Sequence, residues 1–193
     1  MRCLVCKKLS PLLICHQCQH IFLSPNFYQR EVSLEDGTIF KVFSFYKYEE
    51  IKELINLKYE PIGNQIFEIL SNLSMKAFIQ NFDYEYDVSI VPIDDSIKSN
   101  YSHTAVLAKQ MNYQNKKVKY GRLRANKHIK YAGKSLEFRQ NNSRNLKCTI
   151  SKSDIILIDD IITTGSTMSQ AYQECRGNDN NVLFGLVLCD ARE

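Results

Sequence analysis

From Ile155 to Thr167 the chain reads Ile-Ile-Leu-Ile-Asp-Asp-Ile-Ile-Thr-Thr-Gly-Ser-Thr, an order that constrains its fold more than any other stretch. The four apolar residues Ile155 to Ile158 predict a short buried strand, with the carboxylates Asp159 and Asp160 at its C-terminal end. Thr163, Thr164, Gly165, Ser166 and Thr167 then form a tight, hydroxyl-rich loop, and a helical pattern begins at its close. Loop amides just ahead of a helix N-terminus attract anions, because unpaired N–H groups and the helix dipole both favour negative charge. The neighbouring carboxylates suit sugar hydroxyls or a divalent metal. A phosphorylated sugar answers to both halves of the pattern. A strand that merely ends in a capped turn accounts for a loop and one acid, but not for two acids and four hydroxyls around a glycine.

A second cluster lies at the N-terminus. Cys3, Cys6, Cys15 and Cys18 form two CxxC knuckles separated by eight residues. Each knuckle brings two thiolates to one side of a turn, and together they complete a tetrahedral four-sulfur zinc site. A redox CxxC would not need a second copy so close by. With all four positions filled by protein, the zinc is expected to be structural. His16 and His20 could substitute as ligands, though His16 lies inside a knuckle and is expected to be exposed. Cys148, Cys175 and Cys189 stand in apolar contexts that suit buried small hydrophobes. Seven cysteines, four of them in one cluster, argue against a disulfide framework.

Between these clusters, helices and strands alternate. Ile39 to Tyr46 reads as a strand, and Ile51, Leu54, Ile55 and Lys58 follow at helical spacing until Pro61. One helix is predicted from Gly63 to Gln80, with Ile66, Phe67, Leu70, Leu73 and Ala77 inward. Val88 to Ile93 predicts a strand. Ser102 to Met111 predicts a helix capped by Ser102, with Ala105, Val106 and Ala108 against the sheet. Val118 to Leu123 predicts a further strand. A helix over Thr167 to Cys175, with Gly177 as its C-cap, and a last strand over Val182 to Leu188 complete the pattern. Such alternation implies an α/β fold, a mostly parallel sheet flanked by helices, with ligands outside the strand C-termini. The expected division is a zinc finger over residues 1–22 and an α/β domain over 23–193.

Charge is distributed unevenly. The chain carries +4 overall, yet the segment from Lys116 to Lys147 holds eleven basic residues and a single acid, Glu137. Tyr113, Tyr120, Tyr131 and Phe138 lie within or beside it. Basic side chains with interleaved aromatics suit the phosphates and unpaired bases of single-stranded nucleic acid; a solvated basic loop is the plainer reading. Arg122, Arg124, Lys127 and Lys130 are the candidate contacts. Asp94, Asp95 and Ser96 follow a strand, and suit either a polar turn capping a helix or a diphosphate-binding loop whose acid holds magnesium. His103 is assigned to a helix surface. No apolar run is long enough to span a bilayer and no apolar signal region precedes the cysteines, so membrane insertion is not expected and a cytoplasmic location is.

The Asp159–Thr167 pattern resembles the phosphoribosyl pyrophosphate (PRPP) motif of type I phosphoribosyltransferases. That resemblance implies that Asp159 and Asp160 contact the ribose hydroxyls, directly or through magnesium, and that Thr163 to Thr167 wrap the 5′-phosphate. Together with the four-cysteine knuckle, it makes the chain similar to the ComF family of competence proteins and to GntX-type proteins. Tyr46-Lys47-Tyr48 through Leu57-Lys58-Tyr59, Val91-Pro92, and Gly133, Ser135, Arg139 and Asn142 echo further family elements. The family's Arg-Gly-Phe-Asn-Gln stretch is replaced by Ser99 to His103, and its glutamine before Arg-x-x-Asn by Tyr131. The resemblance also places the mobile loop that closes over pyrophosphate within the basic segment. It implies PRPP as ligand and a role in handling imported single-stranded DNA, with other DNA-uptake proteins as partners. The alternatives are a phosphoribosyltransferase salvaging a free nucleobase, or a catalytically silent DNA-binding adaptor. No residue presents itself as a general base, so the sequence specifies the donor half of such a reaction and not the acceptor half.

Overall fold

A computed structural model describes residues 1–34, 36–94, 102–125 and 146–192, with the backbone alone at Asp94. Its elements begin with α1 (His16–Phe22), β1 (Tyr28–Ser33), β2 (Ile39–Lys47) and α2 (Tyr48–Asn56), followed by a 3-10 turn, Leu57–Tyr59. Next come α3 (Gly63–Leu73), α4 (Met75–Asn81), β3 (Val88–Asp94), α5 (His103–Lys109), β4 (Lys116–Val118) and β5 (Leu123–Ala125). After the basic segment come β6 (Leu146–Cys148), β7 (Asp154–Ile162), α6 (Ser166–Arg176) and β8 (Asn181–Asp190).

The strands form one sheet in the order β1-β2-β8-β7-β3-β5-β6, with β4 also paired to β3. The pairs β2–β8, β8–β7, β7–β3, β3–β4 and β3–β5 are parallel; β1–β2 and β5–β6 are antiparallel. The fold is therefore α/β with a mostly parallel sheet flanked by helices, as its alternating pattern implies.

The apolar run of β7 explains its central place. Ile156 and Ile158 enter one core with Ile66, Phe67, Leu70 and Leu107 of α3 and α5. Ile155 and Leu157 enter the other, with Met168, Ala171 and Cys175 of α6. All four side chains are fully buried. Successive residues face opposite sides of a sheet, so a strand covered on both faces needs apolar residues at every position. Each such burial contributes about 1.5–3 kcal/mol.

The cysteine knuckle packs on the same body. Cys3, Ile14, Cys18 and Leu23 share a core with Phe45, Tyr46 and Ile51, and the buried Tyr46 hydroxyl donates to the Leu23 carbonyl at 2.9 Å.

Several elements differ from expectation, each for a local reason. The helix predicted over Gly63 to Gln80 is broken at Ser74, whose φ and ψ are −108° and −74°. The Ser74 hydroxyl and N–H both donate to the Leu70 carbonyl, the side-chain competition that bends helices. The break brings Met75 and Ile79 inward and leaves Ala77 exposed. In α5 the fully buried residues on the sheet side are Leu107 and Ala108, while Ala105 and Val106 are only partly covered. Ser102 does cap that helix, its hydroxyl accepting from the Ala105 N–H at 3.2 Å. The strand predicted over Val118 to Leu123 is divided into β4 and β5 by a turn through Gly121, at φ 66°. Arg124 folds back so closely over Gly121 that a Cβ there would overlap its guanidinium. Gly177 caps α6 in a right-handed conformation, φ −61°, and the left-handed residue is Asp179, at φ 58°. The short strands β1 and β6 carry no strong apolar pattern and were not foreseen. Cys148, Cys175 and Cys189 are buried, as their contexts suggest.

Candidate functional site

β7 extends past the apolar run to Ile162, so Asp159 and Asp160 lie within its last turn of ladder and not beyond it. Their neighbours Ile161 and Ile162 pair with Cys189 and Asp190 of β8. Both carboxylates are only 8% exposed. Strand alternation puts Asp160 on the face of Ile156 and Ile158, and Asp159 on the face packed by α6. The Asp160 N–H donates to Asp159 Oδ1 at 2.9 Å.

Asp160 meets side chains from distant elements. Lys58, in the 3-10 turn, donates to its Oδ2 at 2.8 Å. Burial pushes the Asp160 carboxyl up, but the Lys58 ammonium outweighs that, with help from His103, and holds it below the usual carboxylate range. Burial in turn pulls Lys58 down, and the Asp160 charge more than reverses this, so its ammonium persists above the ordinary lysine range. His103, expected on a helix surface, is half-buried. Its ring sits 5.4 Å from that of Tyr59 and 5.4 Å from that of Phe67. Local patterns give Lys58 only a helical spacing and a family echo, and they do not show that Lys58 and His103 meet at Asp160.

Beyond Ile162 the chain turns sharply. Gly165 is the N-cap of α6 at φ 87°, a left-handed conformation that glycine adopts without a Cβ penalty. A Cβ at this position would also lie 3.2 Å from a Val32 methyl of β1. Thr164 Oγ1 and Ser166 Oγ are 3.0 Å apart, and the Ser166 N–H donates to Thr164 Oγ1 at 3.3 Å. Thr163 and Thr164 are exposed. Hydroxyls and the first-turn amides of α6 therefore converge at the C-terminal end of the sheet, the arrangement that receives an oxyanion.

Arg30 of β1 stands behind the loop. Its Nη1 donates to the Thr163 carbonyl at 2.7 Å and to Asp190 Oδ1 at 2.9 Å. No local pattern marks Arg30 or Asp190 as site residues.

The four N-terminal cysteines converge, with all four sulfurs within 4.8 Å of one another. Cys6 Sγ and Cys15 Sγ are 3.8 Å apart, the edge of a tetrahedron with metal–sulfur bonds of about 2.3 Å. The Cys15 N–H donates to Cys3 Sγ at 3.4 Å. Burial raises the Cys3 thiol, yet N–H donors from Cys15, Cys6 and Val5 outweigh it and bring it down to about 6. Burial first, then hydrogen bonds that the Cys18 thiol donates to the other three sulfurs, push Cys18 up to about 12. Crowded thiols that cannot all ionise together, with amides aimed at one sulfur, fit a dication such as zinc. His16 and His20 are exposed and stand outside the cluster.

The basic segment is divided between the two ends of the sheet. Lys117, Lys119 and Arg122 line a groove of about 940 Å³ near the starts of β3, β7 and β8, opposite the Asp159–Thr167 loop. Arg124 pairs in register with Asp94, toward the other end. Lys127 and Lys130 lie outside the described residues, as do Asp95, Ser96 and the Asp94 side chain, Ser99 to Tyr101, and Tyr131 to Asn142. Among the described residues, no helix is long and apolar enough to cross a membrane.

Fold and site together describe an α/β protein with a hydroxyl-rich loop at its strand C-termini and a four-thiol cluster able to hold a metal. No family model matches the chain, and no curated protein matches it. Among solved structures it is similar to UMP synthase of Leishmania donovani, at 15% identity and TM-score 0.40. That match covers 85% of this chain but only 28% of the UMP synthase chain. An adenine phosphoribosyltransferase matches at 14% identity and TM-score 0.39, over 90% of this chain and 88% of its own. The phosphoribosylpyrophosphate synthetase of Mycobacterium smegmatis matches at 12% identity and TM-score 0.34, over 83% and 71% respectively.

Proposed function

We propose that this chain is a PRPP-binding, phosphoribosyltransferase-like protein that handles imported single-stranded DNA in natural transformation. One observation carries the ligand reading. Two nearly buried carboxylates stand at a strand C-terminus beside a loop whose left-handed Gly165 opens the N-terminus of α6. In this reading Thr163 to Thr167 take the 5′-phosphate on amides and hydroxyls, and Asp159 and Asp160 take the ribose hydroxyls. Magnesium, which suits carboxylate and diphosphate oxygens, would supply charge screening when bound there. Asp94, Asp95 and Ser96 are the proposed diphosphate loop.

For a transfer reaction, the bond from ribose C1 to pyrophosphate breaks as an acceptor nucleophile bonds to C1. The chain contributes by orienting the sugar and by stabilising the charge that develops on the leaving group. The cysteine cluster is proposed to hold one structural zinc that fastens the N-terminal segment, residues 1–22, to the larger domain, 23–193. Support for DNA as partner comes from the basic, aromatic-interleaved segment, with Arg122, Arg124, Lys127 and Lys130 as contacts.

Titration calorimetry with PRPP and magnesium tests the ligand. Wild type is expected to bind and Asp159→Ala/Asp160→Ala to lose binding; no heat with wild type, or equal heats, would sink the assignment. A pyrophosphate-release assay, run with and without single-stranded DNA, then decides whether the bound ligand is turned over.

A further inference from the structure

Resting on the PRPP reading of the loop, we infer that Arg30 is a positioning residue of the phosphate site: it holds the Thr163 carbonyl and so aims the Thr164 amide at the 5′-phosphate. The carbonyl and the following N–H of a trans peptide point in opposite directions. Arg30 Nη1 takes the Thr163 carbonyl at 2.7 Å from the β1 side. The Thr164 N–H must then face away from β1, toward the open side of the loop. Among the described residues that N–H has no acceptor, and Thr164 is exposed, so the amide is open to solvent and to a ligand.

The guanidinium is fixed for this task. The same Nη1 donates to Asp190 Oδ1, and the two side chains are 9% and 4% exposed. Val32 and Arg30 Nη2 lie 3.2 and 3.9 Å from where a Gly165 Cβ would stand. The two β1 residues thus form a back wall against which the loop rests. Arg30 Nε is buried and has no hydrogen-bond partner among the described residues. A buried guanidinium with an idle donor is an expensive way to fill space; the Asp190 carboxylate holds it in place, and the Thr163 carbonyl is the group it orients. β1 pairs antiparallel at the sheet edge, so a strand outside the motif determines how the motif presents its amides.

The test uses ribose 5-phosphate, which carries the 5′-phosphate without pyrophosphate. Amide NMR and calorimetry are applied to the full chain as wild type, Arg30→Lys, and Arg30→Met/Asp190→Asn, the last leaving no buried carboxylate unpaired. On adding ribose 5-phosphate, the wild-type Thr164 amide is expected to move downfield. The double variant is expected to bind about tenfold or more weakly, as for loss of an oriented charge-assisted contact, with no Thr164 shift. Arg30→Lys is expected to restore part of both. A folded double variant that binds as wild type with its Thr164 shift intact overturns the inference and leaves the ligand reading standing. Should the double variant not fold, the wild type alone decides, since binding without a Thr164 shift overturns the inference equally. Failure of wild type to bind ribose 5-phosphate removes the phosphate reading itself, and the role of Arg30 with it.

Discussion

Lys58 Nζ donates to Asp160 Oδ2 at 2.8 Å, joining a 3-10 turn in the first third of the chain to the motif strand. Asp160 is almost buried and Lys58 largely so. Removing one partner of such a pair strands a charge in a poorly solvated site, which typically costs about 3–5 kcal/mol. Lys58→Met is expected to lower the stability by that order in urea denaturation. Lys58→Met/Asp160→Asn should recover most of the loss, because no lone charge remains. Equal destabilisation in both would show that packing, and not charge, carries the effect.

The same pair sets a pH dependence. Asp160 titrates below the ordinary carboxylate value of 3.8 in the folded chain, so its contribution is present above that value and lost as pH falls through the lower folded one. Lys58 titrates above its ordinary 10.5. Its contribution is present below 10.5 and lost only as pH rises through the higher folded value. The difference in urea midpoint between wild type and Lys58→Met/Asp160→Asn should therefore be flat between these limits and change at the acid end. A difference that shifts near neutrality would contradict this coupling.

Gly165→Ala places a Cβ in a left-handed conformation and against Val32. The backbone term alone costs about 1–2 kcal/mol, and the loop must shift to relieve the contact. Thermal unfolding should register a loss of that order, and PRPP affinity should fall at least about tenfold as the amides are misdirected. Retained affinity would mean that the ligand does not use this loop.

Stoichiometric metal analysis is expected to find one zinc per chain, released by a chelator or by Cys18→Ser. Cys3 and Cys18 share a core with Tyr46 and Ile51, so metal loss should also loosen the start of the larger domain. Hydrogen exchange at the Leu23–Tyr46 contact would detect this. Wild-type protein without bound zinc, or exchange unchanged after chelation, would count against a fastening role.

Single-stranded DNA binding should weaken with salt, by about 0.7 in logarithmic slope for each phosphate neutralised. Replacing Lys117, Lys119 and Arg122 together with glutamine should reduce that slope by about two. The groove they line lies at the end of the sheet opposite the Asp159–Thr167 loop, so PRPP bound at that loop should not compete with DNA for these three residues. An unaltered slope would assign the DNA contacts to other parts of the surface.

Local patterns in the chain were sufficient for the strand–acid–loop–helix unit, the cysteine cluster and the α/β class. An unbroken apolar run, a glycine before a helix, and two CxxC turns act over a few residues, where hydrogen-bond geometry and side-chain period decide the outcome. Local patterns also misled. The run from Gly63 to Gln80 keeps a helical period, yet Ser74 breaks it by competing for one carbonyl, and Val118 to Leu123 bends at Gly121.

What the tertiary structure alone decided is which distant side chains complete the site. Arg30 reaches Thr163 and Asp190 because β1 pairs at the edge of the sheet, and Lys58 and His103 meet Asp160 because α3 and α5 cover one face of β7. No periodicity encodes those meetings. They follow from strand order and register, which are settled by the packing of both cores at once. The sequence thus determined the hydroxyl-rich loop and the four-thiol cluster, and the fold determined which buried charges stand behind that loop.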